Sequence, residues 1–278
     1  MSASRVGLPA RRAVRAVTGG ASCALTLALA LGAGAAAQSP VAAQSPVAAP
    51  LSVAAPAAPA ALRAQQPIVS VADLPLNEVN AAGSGTLFAV FMTGDGGWVA
   101  LDAGVSAALT AKGIPVVGFN QRAYLWSAKT PDQAGADLAR IIAAYRAKWH
   151  RDSVIVIGYS RGAGTAPFAV NRLPPALRGA VKMIALIGAE HTASFHFRMR
   201  DLLSNAPGPD DVPVMPEIRR LGATALICFY GADETDTLCP DLAPPAISVK
   251  MSGGHHLDGA YDEIGRKIVT ALAIGGRR

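Results

Sequence analysis

The chain has 278 residues, of which 51% are hydrophobic, 16% charged and 5% aromatic, with a formal charge of +6. Four of those six charges are Arg5, Arg11, Arg12 and Arg15 in an acid-free head, and Arg277 and Arg278 close the chain. What remains is nearly neutral, which excludes a general nucleic-acid role and leaves a chain apolar enough to build a large core.

The basic head runs into an apolar stretch from Ala21 to Leu31 and then Ala35-Ala36-Ala37 before Gln38. That order matches a secretory signal with a small-residue cut site, so residues 1–37 are read as a signal peptide cleaved near Ala37 and the mature protein as periplasmic. The apolar stretch is short and alanine-rich for a membrane span, Cys23 lacks a leucine-type lipobox, and the residues after Arg11-Arg12 fit the twin-arginine route poorly. An uncleaved anchor is the alternative. Residues 38–66 are rich in Ala, Pro, Ser and Val and repeat Gln38-Ser39-Pro40-Val41-Ala42-Ala43 at Gln44-Ser45-Pro46-Val47-Ala48-Ala49. Such a segment cannot pack a core and reads as a linker. The domain then covers 67–278, about 210 residues, enough for one α/β unit.

Within it, Leu87 to Met92 is a strand and Leu101 to Ala111 a helix. Ile114 to Phe119 is a buried strand, and a helix from Asp132 to Trp149 follows the capping pair Thr130-Pro131. Val154 to Ile157 is an apolar run entering Gly158-Tyr159-Ser160-Arg161-Gly162, Val181 to Ile187 and Thr224 to Tyr230 are further strands, Ile247 to Met251 is the last, and a final helix begins near Gly259. Strands alternating with helices predict a mostly parallel sheet with helices on both faces, the α/β-hydrolase architecture.

Gly-x-Ser-x-Gly is a weak pattern alone, but here it lies between a buried strand and a small-residue helix, the setting a nucleophile elbow requires. Ser160 is the candidate nucleophile. The glycine-rich loop Thr93-Gly94-Asp95-Gly96-Gly97-Trp98 follows an earlier strand, so the N–H groups of Gly94, Asp95 and Gly96, with that of Arg161, are candidates for an oxyanion hole.

An orienting acid must come next and a histidine last. Asp233, Glu234 and Asp236 compete in the loop after Thr224–Tyr230. Asp236 is preferred because aspartate is the commoner orienting acid, with Glu234 kept beside it for its offset from Gly231. His255 follows Gly254 and is preferred as the base, which leaves His256 a packing role. The histidines lack the spacing of a zinc site, so no metal or other cofactor is expected. Cys228 and Cys239 bracket the acid loop and in an oxidising compartment would pair. For substrate contacts, Arg122 is a candidate for an anionic group, Tyr124 and Trp126 for an acyl or glycerol portion, and Trp98 for the wall beside the glycine loop, unless it is a core plug. Glu190 to Phe195 occupies a similar strand edge.

Gly94-Asp95-Gly96-Gly97-Trp98, Tyr124-Leu125-Trp126 with Lys129-Thr130-Pro131, Gly158-Tyr159-Ser160 with Pro167-Phe168 and Asn171-Arg172-Leu173-Pro174, Tyr230-Gly231 with Glu234, Asp236 and Cys239, and Gly253-Gly254-His255-His256-Leu257-Asp258-Gly259 together resemble the bacterial virulence protein VirJ and the related AcvB carboxy-terminal domain. The resemblance spans nearly the whole folded unit. It implies a periplasmic α/β-hydrolase that removes the amino acid from lysyl-phosphatidylglycerol or a similar aminoacyl-phospholipid ester, with Ser160 as nucleophile and membrane-surface contact through the substrate. It equally implies a link to type IV secretion, so secretion-system proteins as partners of a non-catalytic adaptor form the competing expectation; an esterase or lipase on another ester is the third. Three positions depart from the family pattern. Asn120 stands where an acidic residue is usual, and Arg161 and Ala163-Gly164 stand where an aromatic residue and an Ala-Asp pair are usual, which changes the charge beside the nucleophile.

Overall fold

The computed structural model describes residues 69–198 and 208–275; the signal and linker readings for 1–66 lie outside them. In chain order the elements are β1 (Leu76–Val79), β2 (Leu87–Met92), α1 (Ala100–Thr110), β3 (Val116–Phe119), α2 (Gln121–Tyr124), α3 (Pro131–Trp149), β4 (Ser153–Tyr159), α4 (Arg161–Asn171), α5 (Pro175–Arg178) and β5 (Val181–Ile187). After them come β6 (Thr192–Ala193), β7 (Val212–Pro213), α6 (Met215–Arg220), β8 (Ala225–Gly231), β9 (Ile247–Met251) and α7 (Tyr261–Gly275).

Seven strands form one sheet in the order β1-β3-β2-β4-β5-β8-β9, all parallel except β1, which runs antiparallel to β3. A parallel sheet covered on both sides needs strands that are apolar at every position. β4 shows this: Val154 and Val156 join one core with Phe88 and Val90 of β2, Leu138 of α3 and Ala166 of α4, whereas Ile155 and Ile157 join the other with Val105 of α1 and Ile264 of α7. Both cores are closed to solvent, so truncating Ile155 or Phe91 to alanine would cost about 2–5 kcal/mol. β6 and β7 form a separate antiparallel pair.

The helices follow local rules. Thr130 Oγ1 accepts from the Gln133 N–H at 3.1 Å while the Thr130 N–H donates to Gln133 Oε1 at 2.8 Å, a reciprocal cap that starts α3 one residue earlier than expected. His150 ends α3 in the left-handed region.

Strand register sets where the chemistry lies. Met92 pairs with Gly158, Tyr159 with Ile187, Ile187 with Phe229, and Gly231 with Met251. The carboxyl ends of β2, β4, β5, β8 and β9 therefore finish level, and the loops that leave them share one edge of the sheet.

Candidate active site

Ser160 sits between β4 and α4 with φ 52° and ψ −116°, a conformation that non-glycine residues rarely adopt. Its N–H donates to the Ile187 carbonyl at 2.8 Å and its own carbonyl accepts from the Gly164 N–H at 3.0 Å. The flanking glycines are required by contact. A methyl group at Gly158 would lie 2.4 Å from the Gly162 carbonyl oxygen, and one at Gly162 would lie 2.1 Å from that of Met92. This backbone crowding holds the turn sharp and presents the serine at the sheet edge.

In the loop after β9, His255 Nδ1 lies 2.5 Å from Glu234 Oε1. Because a carboxylate accepts only, Nδ1 carries the proton and Nε2 is the basic nitrogen. The second Glu234 oxygen accepts from the Gly231 N–H at 3.0 Å, so both oxygens of a side chain only 6% exposed are engaged. Gly188, at φ 58°, closes the site from β5: a methyl there would lie 2.7 Å from His255 Cε1 and 3.4 Å from Glu234 Oε1. The Tyr159 ring stacks on His255 with centroids 5.4 Å apart, and its hydroxyl lies 2.9 Å from His256 Nδ1. Burial pulls the His255 pKa down, but the hydrogen bond and charge of Glu234, with the charges of Glu190 and Asp95, outweigh it and leave the pKa raised.

Ser160 and His255 line one cavity of about 530 Å³. Asp95 and Gly96 line it too, and a methyl at Gly94 would lie 3.2 Å from Ser160 Cβ, so the structure gathers the glycine loop and the first residue of α4 around the serine. The Arg161 side chain turns to Asp95, with Nη2 donating to Oδ2 at 3.0 Å and Nε contacting the other oxygen. It also donates to the His196 carbonyl at 3.3 Å and lies over the Phe197 ring.

Two expectations need correction. Asp236, preferred as the orienting acid, instead lies 2.6 Å from His191 Nδ1, while Asp241 holds the other nitrogen of that ring at 3.0 Å. The cause is a tight turn, Glu234 N–H to Gly231 carbonyl at 3.2 Å, which folds Glu234 back toward the strand end and carries Asp236 onward to the surface. Asp233 is exposed.

The second correction concerns the substrate wall: none of Trp98, Arg122, Tyr124 or Trp126 lines the cavity. Asn120 Oδ1 accepts from the Ala123 N–H at 3.1 Å and starts the one-turn helix α2, which directs Tyr124 into the core against Phe119, with its hydroxyl donating to Asp137 at 2.8 Å. Trp126 is 61% exposed and stacks on Phe197, over which Arg122 also lies. Trp98 fills the space that Gly118 leaves and meets Phe91 edge-on. The residues that line it instead include Val99, Leu101, Tyr261, Glu190, Ser194 and Asp211.

Cys228 and Cys239 form a disulfide with Cα atoms 5.5 Å apart, tying β8 to the far end of the acid loop. Among the described residues no group of three His, Cys, Asp or Glu side chains is placed to hold a metal ion, and no helix is long and apolar enough to cross a membrane.

Comparison with solved structures shows the fold. MenH from S. aureus superposes with a TM-score of 0.50 at 14% identity, covering 72% of this chain and 98% of that one. Est1E from Butyrivibrio proteoclasticus has a TM-score of 0.50 at 9% identity, covering 74% and 98%. A lidless α/β serine hydrolase from Xanthomonas campestris has a TM-score of 0.45 at 16% identity, covering 73% and 88%. No curated protein matches by sequence. The family model described as bacterial virulence protein (VirJ) matches residues 86–275, which contain the serine elbow, the acid loop and the histidine loop. The chain is thus an α/β-hydrolase fold that belongs to the VirJ family.

Proposed function

We propose that this protein is an exported serine ester hydrolase whose substrate is an aminoacyl ester of phosphatidylglycerol. The observation that carries the reading is a strained, edge-mounted Ser160 sharing one cavity with a His255 whose Nδ1 is held by a doubly engaged Glu234. In the first half-reaction His255 Nε2 takes the hydroxyl proton as Ser160 Oγ bonds to the ester carbonyl carbon. The carbonyl oxygen takes up the negative charge and is met by backbone N–H groups of the Asp95-Gly96 loop and Arg161. As the intermediate collapses, the C–O bond to the glycerol breaks and His255 protonates the leaving oxygen. Water, deprotonated by His255, then releases the amino acid and restores the serine.

Glu234 keeps the imidazole in the productive tautomer and stabilises the imidazolium formed in each half. The lipid identity of the substrate rests on the resemblance to VirJ and the AcvB carboxy-terminal domain, and export is supported by the sequence of residues 1–37 and a disulfide compatible with an oxidising compartment.

The test is release of free amino acid from lysyl- and alanyl-phosphatidylglycerol by the purified protein, with Ser160→Ala as control, alongside labelling by a fluorophosphonate. Serine-dependent release supports the reading. Labelling at Ser160 without release leaves an esterase on another ester, and absence of both favours a non-catalytic adaptor in secretion.

A further inference from the structure

We propose that Glu190 is the receptor for the ammonium group of the ester's acyl part, making the site selective for aminoacyl over neutral acyl groups; this rests on Ser160 being the nucleophile. Glu190 lies two residues beyond Gly188, the residue pressed against His255, and lines the same cavity as Ser160 and His255.

Among the described residues three carboxylates line that cavity, and two of them are engaged within the protein. Asp95 is neutralised by Arg161. Asp211 accepts from the Gly208 N–H at 2.7 Å, and its other oxygen, buried and without a hydrogen bond, is paired in charge with Arg198 Nη1 at 3.6 Å. Among the described residues Glu190 has no hydrogen bond or ion pair within the protein, and the charges that favour its ionised form are those of His255 and Arg161. Burial raises its pKa in spite of them, with Asp236 and Asp95 adding to the rise. A carboxylate held this way in a cavity is stabilised by a cation delivered with the ligand.

The arrangement also resolves the charge change at Arg161. That guanidinium is committed to Asp95 and to the His196 carbonyl, so it leaves a carboxylate, not a cation, as the unmatched charge beside the nucleophile. An ammonium borne by the acyl carbon next to the ester carbonyl stays close to Ser160 in any reactive pose, whereas a neutral acyl group would leave Glu190 desolvated and unmatched.

The experiment compares L-alanine ethyl ester with ethyl propionate, which differ by the ammonium alone. Wild-type protein is expected to prefer the alanine ester. Measured above the acid limb of both proteins, where the shift of the His255 pKa no longer affects rate, Glu190→Gln should lower kcat/KM for the alanine ester by about 10- to 100-fold, chiefly through KM, while ethyl propionate changes by less than about twofold. Glu190→Asp should recover part of the loss. Equal effects of Glu190→Gln on both esters, or on neither, would overturn the inference.

A binding measurement separates this from the proposed reaction. In the Ser160→Ala background, calorimetry should detect L-alanine methylamide, and Glu190→Gln should weaken it by about tenfold or more. Unchanged or undetectable binding in the Ser160→Ala protein overturns the inference whatever the protein hydrolyses. If binding and ester preference hold but aminoacyl-phosphatidylglycerol is not cleaved, the lipid assignment falls and Glu190 stands.

Discussion

His255–Glu234 and His191–Asp236 are two histidine–carboxylate pairs whose acids come from one loop, two residues apart, with similar separations of 2.5 and 2.6 Å. They differ in everything else. Glu234 is 6% exposed, its second oxygen is held by a backbone N–H, and its histidine shares a cavity with Ser160. Asp236 and His191 are each about half exposed, and His191 is shared with a second surface carboxylate, Asp241. A short contact between the right residue types is therefore not a catalytic pair. Burial keeps the dielectric low, and full engagement of the acid keeps the imidazole in one orientation, which is what makes such a pair useful beside a nucleophile.

The comparison is broken most directly by removing each acid. Glu234→Ala should reduce kcat by about a thousandfold or more, whereas Asp236→Ala should leave turnover within about threefold. Steady-state rates on any ester the wild type accepts decide this, and a larger loss from Asp236→Ala would reverse the roles.

Next in size is the disulfide, which closes the loop that supplies both acids. Replacing Cys228 and Cys239 with alanine should cost about 3 kcal/mol of stability through loop entropy, read as a lower midpoint in denaturant. Activity should fall with it at temperatures where the loop opens, because Glu234 depends on the turn at Gly231.

A smaller effect separates the histidines by pH. In the proposed reaction His255 acts as a base when neutral, so its raised pKa should place the acid limb of kcat/KM above the ordinary histidine value. Glu190→Gln removes one of the charges that hold the pKa up, so the limb should move to lower pH. Asp236→Asn should leave the limb in place and lower the pKa of His191, followed by NMR, because Asp236 is the leading cause of that residue's raised value.

The smallest expected effect is on stability. With a raised folded pKa, the His191 cluster stabilises fully below the ordinary histidine range and loses that contribution as pH rises through the raised value. Both partners are half exposed, so solvent holds the gain below about 1 kcal/mol, measurable as the difference between wild type and His191→Gln across pH 5 to 8.

The central strands were readable from the chain because they are apolar runs buried on both faces, and the edge strand Ile247–Met251 because it is a short β-branched segment ending just before Gly253. Leu87–Met92, Val181–Ile187 and Ile247–Met251 match the expected bounds residue for residue. Strand β1 carries no such signal: it is four residues long and antiparallel at the edge, with Asn77 and Glu78 exposed. Ser160 and His255 were legible because glycine spacing reports a backbone contact, and His255 follows Gly254.

The choice between Glu234 and Asp236 was not legible, since it depends on one three-residue turn that no composition rule encodes. The placement of Arg122, Tyr124 and Trp126 did have a local signal. Asn120, with an N–H three residues on at Ala123, is a helix-start pattern, and reading it would have turned that segment away from the site. Glu190 had no signal beyond its position after β5, because its role depends on which neighbours engage the other two acids.

The clasp between Arg161 and Asp95 has a kinetic meaning. It joins the first residue of the helix behind Ser160 to the loop after β2, so the two backbone segments that would meet the developing oxyanion move as one body. A clasp of this kind restrains the two segments relative to each other before any ester arrives. Realignment of these two segments would then add nothing to the time of a turnover.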